Sequence, residues 1–313
     1  MTNKYDIVFM GTPDFAVPSL EALPAAGHRV GLVVTQPDRP RGRGRKVLPT
    51  PVKKAALALG CPVIQPPSLK DEAARAALAA ARADFFVVAA YGQILSREVL
   101  ATPKHGCINV HASLLPRYRG AAPIHWAVIR GEKKSGVCTM LMDPGLDTGD
   151  VLLCAEEKIL ETDTSGSLHD RLAVLGAKTL VRTLEGWAAG SLRRMPQDPE
   201  RATYAPLIKK EDARIDWTRP AREIAPFVRG MSPRPGAFTF LGERRIKIFQ
   251  AAAVAGTPGA APGTVIQREN GALVVAAGEG ALSLLEVQGA SGKRLSIAEF
   301  LKGGRIAPGE TFA

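Results

Sequence analysis

The chain has 313 residues, 46% of them hydrophobic and 23% charged, and its formal net charge at pH 7 is +11. This length exceeds a comfortable single core, so two domains are expected. The charge favours a polyanionic partner such as a nucleic acid, an anionic membrane or a phosphorylated ligand, although a merely soluble basic protein fits the charge equally well. The N-terminus lacks a signal peptide, and the longest apolar run, residues 85–91, is far shorter than a membrane span. We therefore expect a soluble, cytoplasmic protein without a membrane partner.

The four cysteines, at positions 61, 107, 138 and 154, show neither metal-ligand spacing nor a disulfide framework. A reducing compartment fits this pattern best. Cys107 and His111 would lie about 13 Å apart along a strand, so we expect Cys107 to be a buried residue rather than the partner of an imidazole. The five histidines are scattered along the chain, and no metal is expected.

The first 189 residues alternate predicted strands with predicted helices. This alternation is typical of a parallel, doubly wound, Rossmann-like sheet. The strands are predicted at 5–10, 29–35, 62–65, 84–90, 106–111, 137–141 and 151–155, and the helices at about 14–27, 51–60, 68–82, 121–130 and 164–187.

The composition changes near residue 188. Residues 190–206 are rich in Pro, Gly and charged side chains and are predicted to be a linker. Residues 207–313 form the predicted second domain, which carries more net positive charge per residue than the first part of the chain. One helix at 219–230 and strands at 237–241, 244–251, 263–267, 272–276 and 281–287 predict a small, OB-like β-barrel.

The turn after the first strand, residues 11–14, occupies the usual phosphate-binding position of a nucleotide fold. It does not have the Gly-x-Gly-x-x-Gly pattern, and Pro13 removes a backbone donor. This disfavours a nicotinamide cofactor. A tight strand–helix turn at the ligand edge of the sheet is the favoured interpretation.

A basic segment follows the second strand, within a predicted loop at 36–50. Residues 39–46 contain no acid, and their basic members are Arg39, Arg41, Arg43, Arg45 and Lys46. Guanidinium groups suit phosphate, and the loop follows a strand of the ligand-binding edge. We expect it to bind a phosphate backbone, the alternative being a solvated, disordered loop.

Asn109 and His111 share one face of a predicted strand, about 7 Å apart. A reacting carbonyl fits between such an amide and such an imidazole, and Asp147 in the polar segment 143–150 could bring a carboxylate to the same place. The amide would stabilise an oxyanion, the imidazole would shuttle a proton, and the carboxylate would hold the imidazole. Residue type alone favours a structural interpretation, in which His111 is a satisfied polar residue at a strand end and Asp147 is a turn former.

The joint occurrence of several motifs changes that balance. They are Gly-Thr-Pro-Asp-Phe (11–15), Gln-Pro-Asp-Arg-Pro (36–40), Ala-Tyr-Gly-Gln-Ile-Leu (90–95), Ile-Asn-Val-His-Ala-Ser-Leu-Leu-Pro (108–116), Arg-Gly-Ala-Ala-Pro-Ile (119–124), Gly-Leu-Asp-Thr-Gly-Asp (145–150), Ala-Arg-Ile-Asp-Trp (213–217) and Pro-Arg-Pro-Gly-Ala (233–237). In this order they closely resemble the methionyl-tRNA formyltransferases, members of a wider family that uses 10-formyltetrahydrofolate. The resemblance covers nearly the whole chain.

The resemblance implies formyl transfer from 10-formyltetrahydrofolate, as co-substrate, to methionyl initiator tRNA. It implies that Asn109, His111 and Asp147 are catalytic. The implied folate contacts are Ser113, Leu114, Leu115, Pro116, Tyr91, Gly92 and Ile94, with the backbone of 91–95 lining the pterin pocket. The arginine segment is implied to grip the acceptor stem, and the C-terminal domain the outer face of the tRNA.

Two other functions stay open from the sequence. One is a formyltransferase that acts on a sugar nucleotide or a purine precursor, which would need neither a basic barrel nor an arginine-rich segment. The other is a noncatalytic tRNA-binding protein. No long amphipathic stretch is left unassigned, so a monomer is expected.

Overall fold

The computed structural model of the protein describes residues 4–41, 46–257, 259–269, 272–290, 292–303 and 306–313. The chain divides into two compact units. The first consists of Met1–Gly120, Ser135–Lys158 and His169–Ala205, and the second of Ala121–Lys134, Ile159–Leu168 and Pro206–Ala313. Two short segments from before residue 189 thus belong to the second unit, while the predicted boundaries at 189 and 207 stay a prediction.

A seven-stranded mixed sheet forms the centre of the first unit, with strand order β5-β2-β1-β6-β7-β8-β9. The strands of this unit are β1 (Asp6–Gly11), β2 (Arg29–Val34), β3 (Arg39–Arg41), β4 (Lys46–Leu48), β5 (Val63–Ile64), β6 (Phe85–Ala89), β7 (Cys107–His111), β8 (Lys134–Leu141) and β9 (Val151–Lys158). β1 runs parallel to β2 and β6, and β7 runs parallel to β6. The predicted doubly wound fold is confirmed.

One strand departs from the parallel pattern, since β8 is antiparallel to β7. The chain between them contains one helix, residues 123–129, which belongs to the second unit rather than crossing the sheet. The chain therefore re-enters the sheet at the same end of the strands at which it left β7.

The eight α-helices of the described residues include six that the sequence predicts. Pro51 begins one of them at the predicted position, because Thr50 Oγ1 accepts a hydrogen bond from Lys53 N at 3.1 Å. None of the helices in the described ranges is long and apolar enough to cross a membrane. The helices are α1 (Val17–Ala25), α2 (Pro51–Ala58), α3 (Glu72–Ala80), α4 (Arg97–Leu100), α5 (Pro123–Ile129), α6 (Ser165–Ala188), α7 (Ala221–Met231) and α8 (Ile297–Lys302).

The segment predicted as a loop at 36–50 contains a hairpin instead, because β3 pairs antiparallel with β4. Its base is anchored: Asp38 forms an ion pair with Lys53 and accepts a hydrogen bond from Gln65 Nε2 at 2.6 Å. These two partners hold the pKa of the Asp38 carboxyl below its usual value. Arg39 is exposed. Arg43, Arg45 and the side chains of Arg41 and Lys46 lie outside the described residues.

The second unit contains an antiparallel sheet with the order β10-β11-β14-β13-β12, and β15 pairs with β14. Its last residues join the two edges of that sheet, since Ala313 N donates to Phe240 O and Phe312 N donates to Gly263 O, both at 2.8 Å. The sheet thus curls into the predicted small barrel. The strands are β10 (Ala237–Leu241), β11 (Arg244–Val254), β12 (Val265–Glu269), β13 (Ala272–Ala276), β14 (Ala281–Gln288) and β15 (Leu295–Ser296).

The cysteines differ from the expectation at one pair. Cys138 on β8 and Cys154 on β9 form a disulfide. The two strands are neighbours in the sheet, which a separation of 16 positions along the chain does not reveal. Cys107 is buried, as expected, and burial raises the pKa of its thiol to about 12.

His28 is buried beside the first strand, and its ring stacks on Tyr5 with centroids 5.6 Å apart. Its Nδ1 accepts a hydrogen bond from Tyr5 N at 3.3 Å. Burial lowers the pKa of His28, and the carboxylate of Glu185 offsets only part of that shift. The folded state therefore disfavours the charged ring.

The pKa of His28 gives the fold a pH dependence that has a definite sign. Because the folded-state pKa lies below the ordinary value, the unfolded chain binds more protons there, and stability falls as the pH drops below that ordinary value, about 6.5. We expect the difference in melting temperature between the wild type and His28→Asn, which keeps an acceptor but does not titrate, to shrink or reverse between pH 7.5 and 5.5. A constant difference over that range would show that His28 is not a source of the dependence.

Candidate active site

Three parallel strands, β1, β6 and β7, have their carboxyl ends on the same side of the sheet. Gly11 of β1 lies opposite Ala89 of β6, and Val88 of β6 lies opposite Asn109 of β7. The segments that follow these strands are joined directly, because Thr12 Oγ1 donates to Tyr91 O at 2.8 Å. The carboxyl edge of an open parallel sheet is where ligands usually bind.

The carboxylate of Asp147 is the meeting point of the predicted catalytic residues. Asn109 Nδ2 donates to its Oδ1 at 3.3 Å, and His111 Nδ1 lies 3.6 Å from its Oδ2. The backbone N–H of Gly120, a residue of the 119–124 motif, donates to the same Oδ2 at 2.8 Å. The structure thus brings an amide, an imidazole and a carboxylate into one cluster.

The ring of His111 lies between two acceptors. Its Nε2 is 3.0 Å from Tyr118 O, a backbone carbonyl that can only accept, so Nε2 carries a hydrogen. Its Nδ1 is the atom that faces Asp147. The side chains of His111 and Asp147 are 7% and 13% exposed, so their interaction is weakly screened by solvent. Nδ1 is consequently the nitrogen that can take up or release a proton beside the carboxylate.

Two residues of the site have an unusual backbone. Tyr118 has φ 60° and Asp147 has φ 52°, both in the left-handed region. Such conformations cost roughly 1–3 kcal/mol in a residue other than glycine and occur where surrounding contacts enforce them. The turn at Asp147 is supported by Asp143, whose Oδ1 accepts from Gly145 N at 3.0 Å and Thr148 Oγ1 at 2.6 Å.

The first group of predicted folate residues follows β7. Ser113 is buried, and its hydroxyl donates to Arg117 O at 2.6 Å, so it shapes the turn. Leu114, Leu115 and Pro116 are half-buried. They follow His111, the last residue of β7, by three to five positions.

The second group follows β6. Tyr91 is buried in the core, and burial raises its pKa to about 12, so it offers no side chain to a ligand. Gly92 has φ 89°, with no atom within 4 Å of the position where a Cβ would lie. Ile94 is 90% exposed. An exposed apolar side chain beside open backbone suits the face of a flat ring.

The structure adds two further residues to the site, Arg119, which belongs to the 119–124 motif, and Gln197, which sequence reasoning missed. Arg119 is 4% exposed, and its guanidinium donates to Gln197 Oε1. Gln197 Nε2 donates to Asp147 O at 2.8 Å. A single glutamine within a segment of prolines and charges carries no sequence signal for such a role.

The cluster offers hydrogen-bond donors, a carboxylate and a ring nitrogen that can exchange a proton. This is the equipment of acyl transfer, in which an oxyanion is stabilised while a proton is moved. Within the described ranges, no group of three or more His, Cys, Asp or Glu side chains is placed to hold a metal ion.

Comparison with known proteins identifies the family. Residues 5–184 match the model of the formyl transferase family, and residues 207–305 match that of the formyl transferase C-terminal domain. The chain belongs to the formyl transferase family.

Within that family, the chain is similar over nearly its whole length to methionyl-tRNA formyltransferases. It is 54% identical to the one from Pelotomaculum thermopropionicum, over 95% of both chains, and 49% identical to the one from Marinobacter nauticus, over 97% of this chain and 98% of the relative. The family resemblance inferred from the sequence motifs is confirmed.

Among solved structures, the chain is similar to HypX from Aquifex aeolicus in complex with tetrahydrofolic acid. The TM-score is 0.64 at 18% identity, and the match covers 99% of this chain and 51% of that one, so it spans about half of HypX. At this identity the similarity concerns the fold.

The loop that carries Asp147 gives a testable packing prediction. A Cβ on Gly149 would overlap the backbone carbonyl oxygen of Leu141, which cannot move without disturbing β8. We expect Gly149→Ala to lower the free energy of unfolding by about 1–3 kcal/mol, as overpacking does. Urea unfolding measures it.

Gly31 provides the matched control for this substitution. A Cβ there would meet nothing closer than the Arg29 side chain at 3.8 Å, so Gly31→Ala should change stability little. Equal stability of the two variants would contradict the packing at Gly149.

Proposed function

We propose that this chain transfers the formyl group of 10-formyltetrahydrofolate to the α-amine of methionyl initiator tRNA. The observation that carries the proposal is the convergence of Asn109 and His111 on the Asp147 carboxylate. The near full-length similarity to methionyl-tRNA formyltransferases supports the choice of substrates.

In the proposed reaction, the α-amine attacks the formyl carbon, and the carbonyl oxygen becomes an oxyanion. The amide of Asn109 has a second N–H besides the one directed at Asp147, and this group stabilises that charge together with the protonated ring of His111. Asp147 holds the ring and helps to move the proton from the attacking amine to the departing N10, through water. The bond between the amine nitrogen and the formyl carbon forms, and the bond between that carbon and N10 breaks. The amine thus gains the formyl group and loses one proton, which N10 takes up.

The folate co-substrate is assigned to the wall formed by Ser113–Pro116 and by the backbone of 91–95. The open space at Gly92 and the exposed Ile94 fit a flat pterin ring, whereas the buried Tyr91 contributes only backbone groups. This wall adjoins Asn109 and His111, because β6 and β7 are adjacent in the sheet.

The tRNA is assigned to the hairpin of β3 and β4 and to the C-terminal barrel. The anchored base of the hairpin, at Asp38, directly precedes the basic segment, residues 39–46. Its arginines grip the acceptor stem, and the barrel contacts the outer face of the tRNA. We further infer that the protein acts as a monomer in the cytoplasm, where charged tRNA is used.

The catalytic part of the proposal is tested by Asp147→Asn and His111→Ala. Each should lower the turnover of formylmethionyl-tRNA by orders of magnitude, because each removes a group that handles the proton or the oxyanion, while tRNA binding survives. Formation of formylmethionine from 10-formyltetrahydrofolate and charged initiator tRNA measures turnover, and filter binding measures affinity.

A second histidine–carboxylate pair provides the controls. His169 Nδ1 lies 2.9 Å from Asp170 Oδ1 on α6, where Asp170 is 83% exposed. His169→Ala and Asp170→Asn should keep normal turnover. Near-normal turnover in Asp147→Asn or His111→Ala would refute the assignment, and wild-type turnover on a sugar nucleotide rather than on tRNA would refute the substrate.

The tRNA part is tested by replacing Arg41, Arg43 and Arg45 with Ala. Fewer counterions would be released on binding, so the affinity should fall and the slope of log affinity against log salt should flatten by about 2–3. Binding of initiator tRNA at several salt concentrations measures the slope.

A triple variant with the same change in net charge, at the exposed residues Lys70, Lys178 and Arg182, should keep the wild-type slope. An unchanged slope in the arginine variant would mean that the segment is solvated when tRNA binds.

A further inference from the structure

The segment from Met195 to Ala205, here called the strap, runs through what the sequence suggested was a linker. Its first residue exchanges two backbone hydrogen bonds with Val151, both at 2.9 Å. Its last residues pair with Arg119, whose N donates to Thr203 O at 2.8 Å and whose carbonyl accepts from Ala205 N at 2.7 Å. The strap is therefore fixed at both ends to the first unit.

Gln197 of the strap uses its entire hydrogen-bonding capacity at the active site. Its Nε2 donates to Asp147 O at 2.8 Å and to Gly149 O at 2.7 Å. Its Oε1 accepts from Arg119 Nε at 3.0 Å and Nη2 at 2.8 Å. A flipped amide would direct its oxygen at two carbonyls and its hydrogens at a cation, so only one orientation is compatible with these four partners.

The two carbonyls that Gln197 holds belong to the left-handed residue Asp147 itself and to Gly149, two residues later. The backbone there is unfavourable for a residue other than glycine unless contacts from outside the turn compensate. Gln197 supplies such contacts, and the buried guanidinium of Arg119 keeps Gln197 in place. The direction of the Asp147 carboxylate thus depends on a residue 50 positions later.

Thr203 acts on the other left-handed residue of the site. Its Oγ1 accepts a hydrogen bond from Tyr118 N at 2.9 Å. The carbonyl of Tyr118 in turn accepts from His111 Nε2 at 3.0 Å. The strap therefore reaches both members of the His111–Asp147 pair, in each case through the backbone of a left-handed residue.

We propose that the strap is the positioning element of the active site, with Gln197 orienting Asp147 and Thr203 orienting His111 by way of Tyr118. Neither residue touches the reacting atoms, so both are positioning residues rather than catalytic ones. The proposal rests on the proposed function, since it presupposes that Asp147 and His111 do the chemistry.

A double-mutant cycle tests the role of Gln197. Gln197→Met keeps the size of the side chain and removes all four hydrogen bonds. We expect kcat to fall about 10- to 100-fold, as for a misplacement of about 1 Å, with KM for both substrates nearly unchanged. In the Asp147→Asn background the same substitution should lower kcat less than about 3-fold further, because residues that act as a unit are not additive. Asp198→Ala, which removes only a turn contact to Glu200 N within the strap, should leave kcat unchanged.

Two conservative pairs separate positioning from general stability. Gln197→Glu keeps an acceptor for Arg119 but loses both donors to the carbonyls, so it should be as slow as Gln197→Met. Thr203→Ser keeps the acceptor for Tyr118 N and should retain kcat, whereas the isosteric Thr203→Val should lose it about 10-fold, as for another small misplacement.

Three results would overturn the positioning role. Gln197→Met could lower kcat by the same factor in both backgrounds, or it could raise KM and leave kcat unchanged. Alternatively, Thr203→Ser and Thr203→Val could have equal kcat values. The melting temperatures of all variants show whether a loss of kcat is caused by unfolding. The double-mutant cycle is measured at a temperature at which every variant is folded. A wild-type rate for Asp147→Asn alone would instead overturn the proposed function, so the two failures are distinguishable.

Discussion

The chemistry of this site depends on how the His111 ring is held. A backbone carbonyl, Tyr118 O, accepts from one ring nitrogen, and the Asp147 carboxylate faces the other. A ring held in this way has one nitrogen committed to structure and one reserved for proton exchange. The carboxylate is itself held by the Gly120 N–H and the Asn109 amide. In the proposed reaction, acid–base function therefore follows from the directions of a few backbone groups rather than from the residue types alone.

Those directions come from two levels of structure. The sheet supplies the coarse placement, because β7 delivers Asn109 and His111 to the edge where neighbouring parallel strands also end. The fine placement comes from two turns with left-handed residues, Tyr118 and Asp147, which are unfavourable in isolation. Such turns persist because other segments hydrogen-bond to them. These hydrogen bonds come in part from the chain that follows the long helix α6.

The sequence predicts the parts of this protein that periodicity and turn residues determine. Alternating apolar strands and helices gave the Rossmann-like sheet, the later run of short strands gave the barrel, and the motifs gave the family. The features that the sequence did not predict depend on contacts between residues that are distant along the chain. The β3–β4 hairpin lacks a hydrophobic pattern, and the Cys138–Cys154 pair is defined only by neighbouring strands. The C-terminal residues 311–313 close the barrel through hydrogen bonds to residues far away in the chain and through the buried side chain of Phe312. Within the site, the meeting of Asn109, His111 and Asp147 was predicted from strand spacing and motifs. The contacts of Tyr118 and Gln197 were not predicted, because the Tyr118 carbonyl and the Gln197 amide meet their partners only in the folded chain.

The most direct test of this account is the state of the two ring nitrogens of His111. Proton–nitrogen correlation spectra of protein labelled with ¹⁵N at its five histidines, with His111 assigned by its loss in His111→Gln, report each nitrogen separately. The account predicts that the neutral ring carries its hydrogen on Nε2, bonded to the Tyr118 carbonyl, and none on Nδ1, which faces Asp147. A neutral ring that carries its hydrogen on Nδ1 would contradict it.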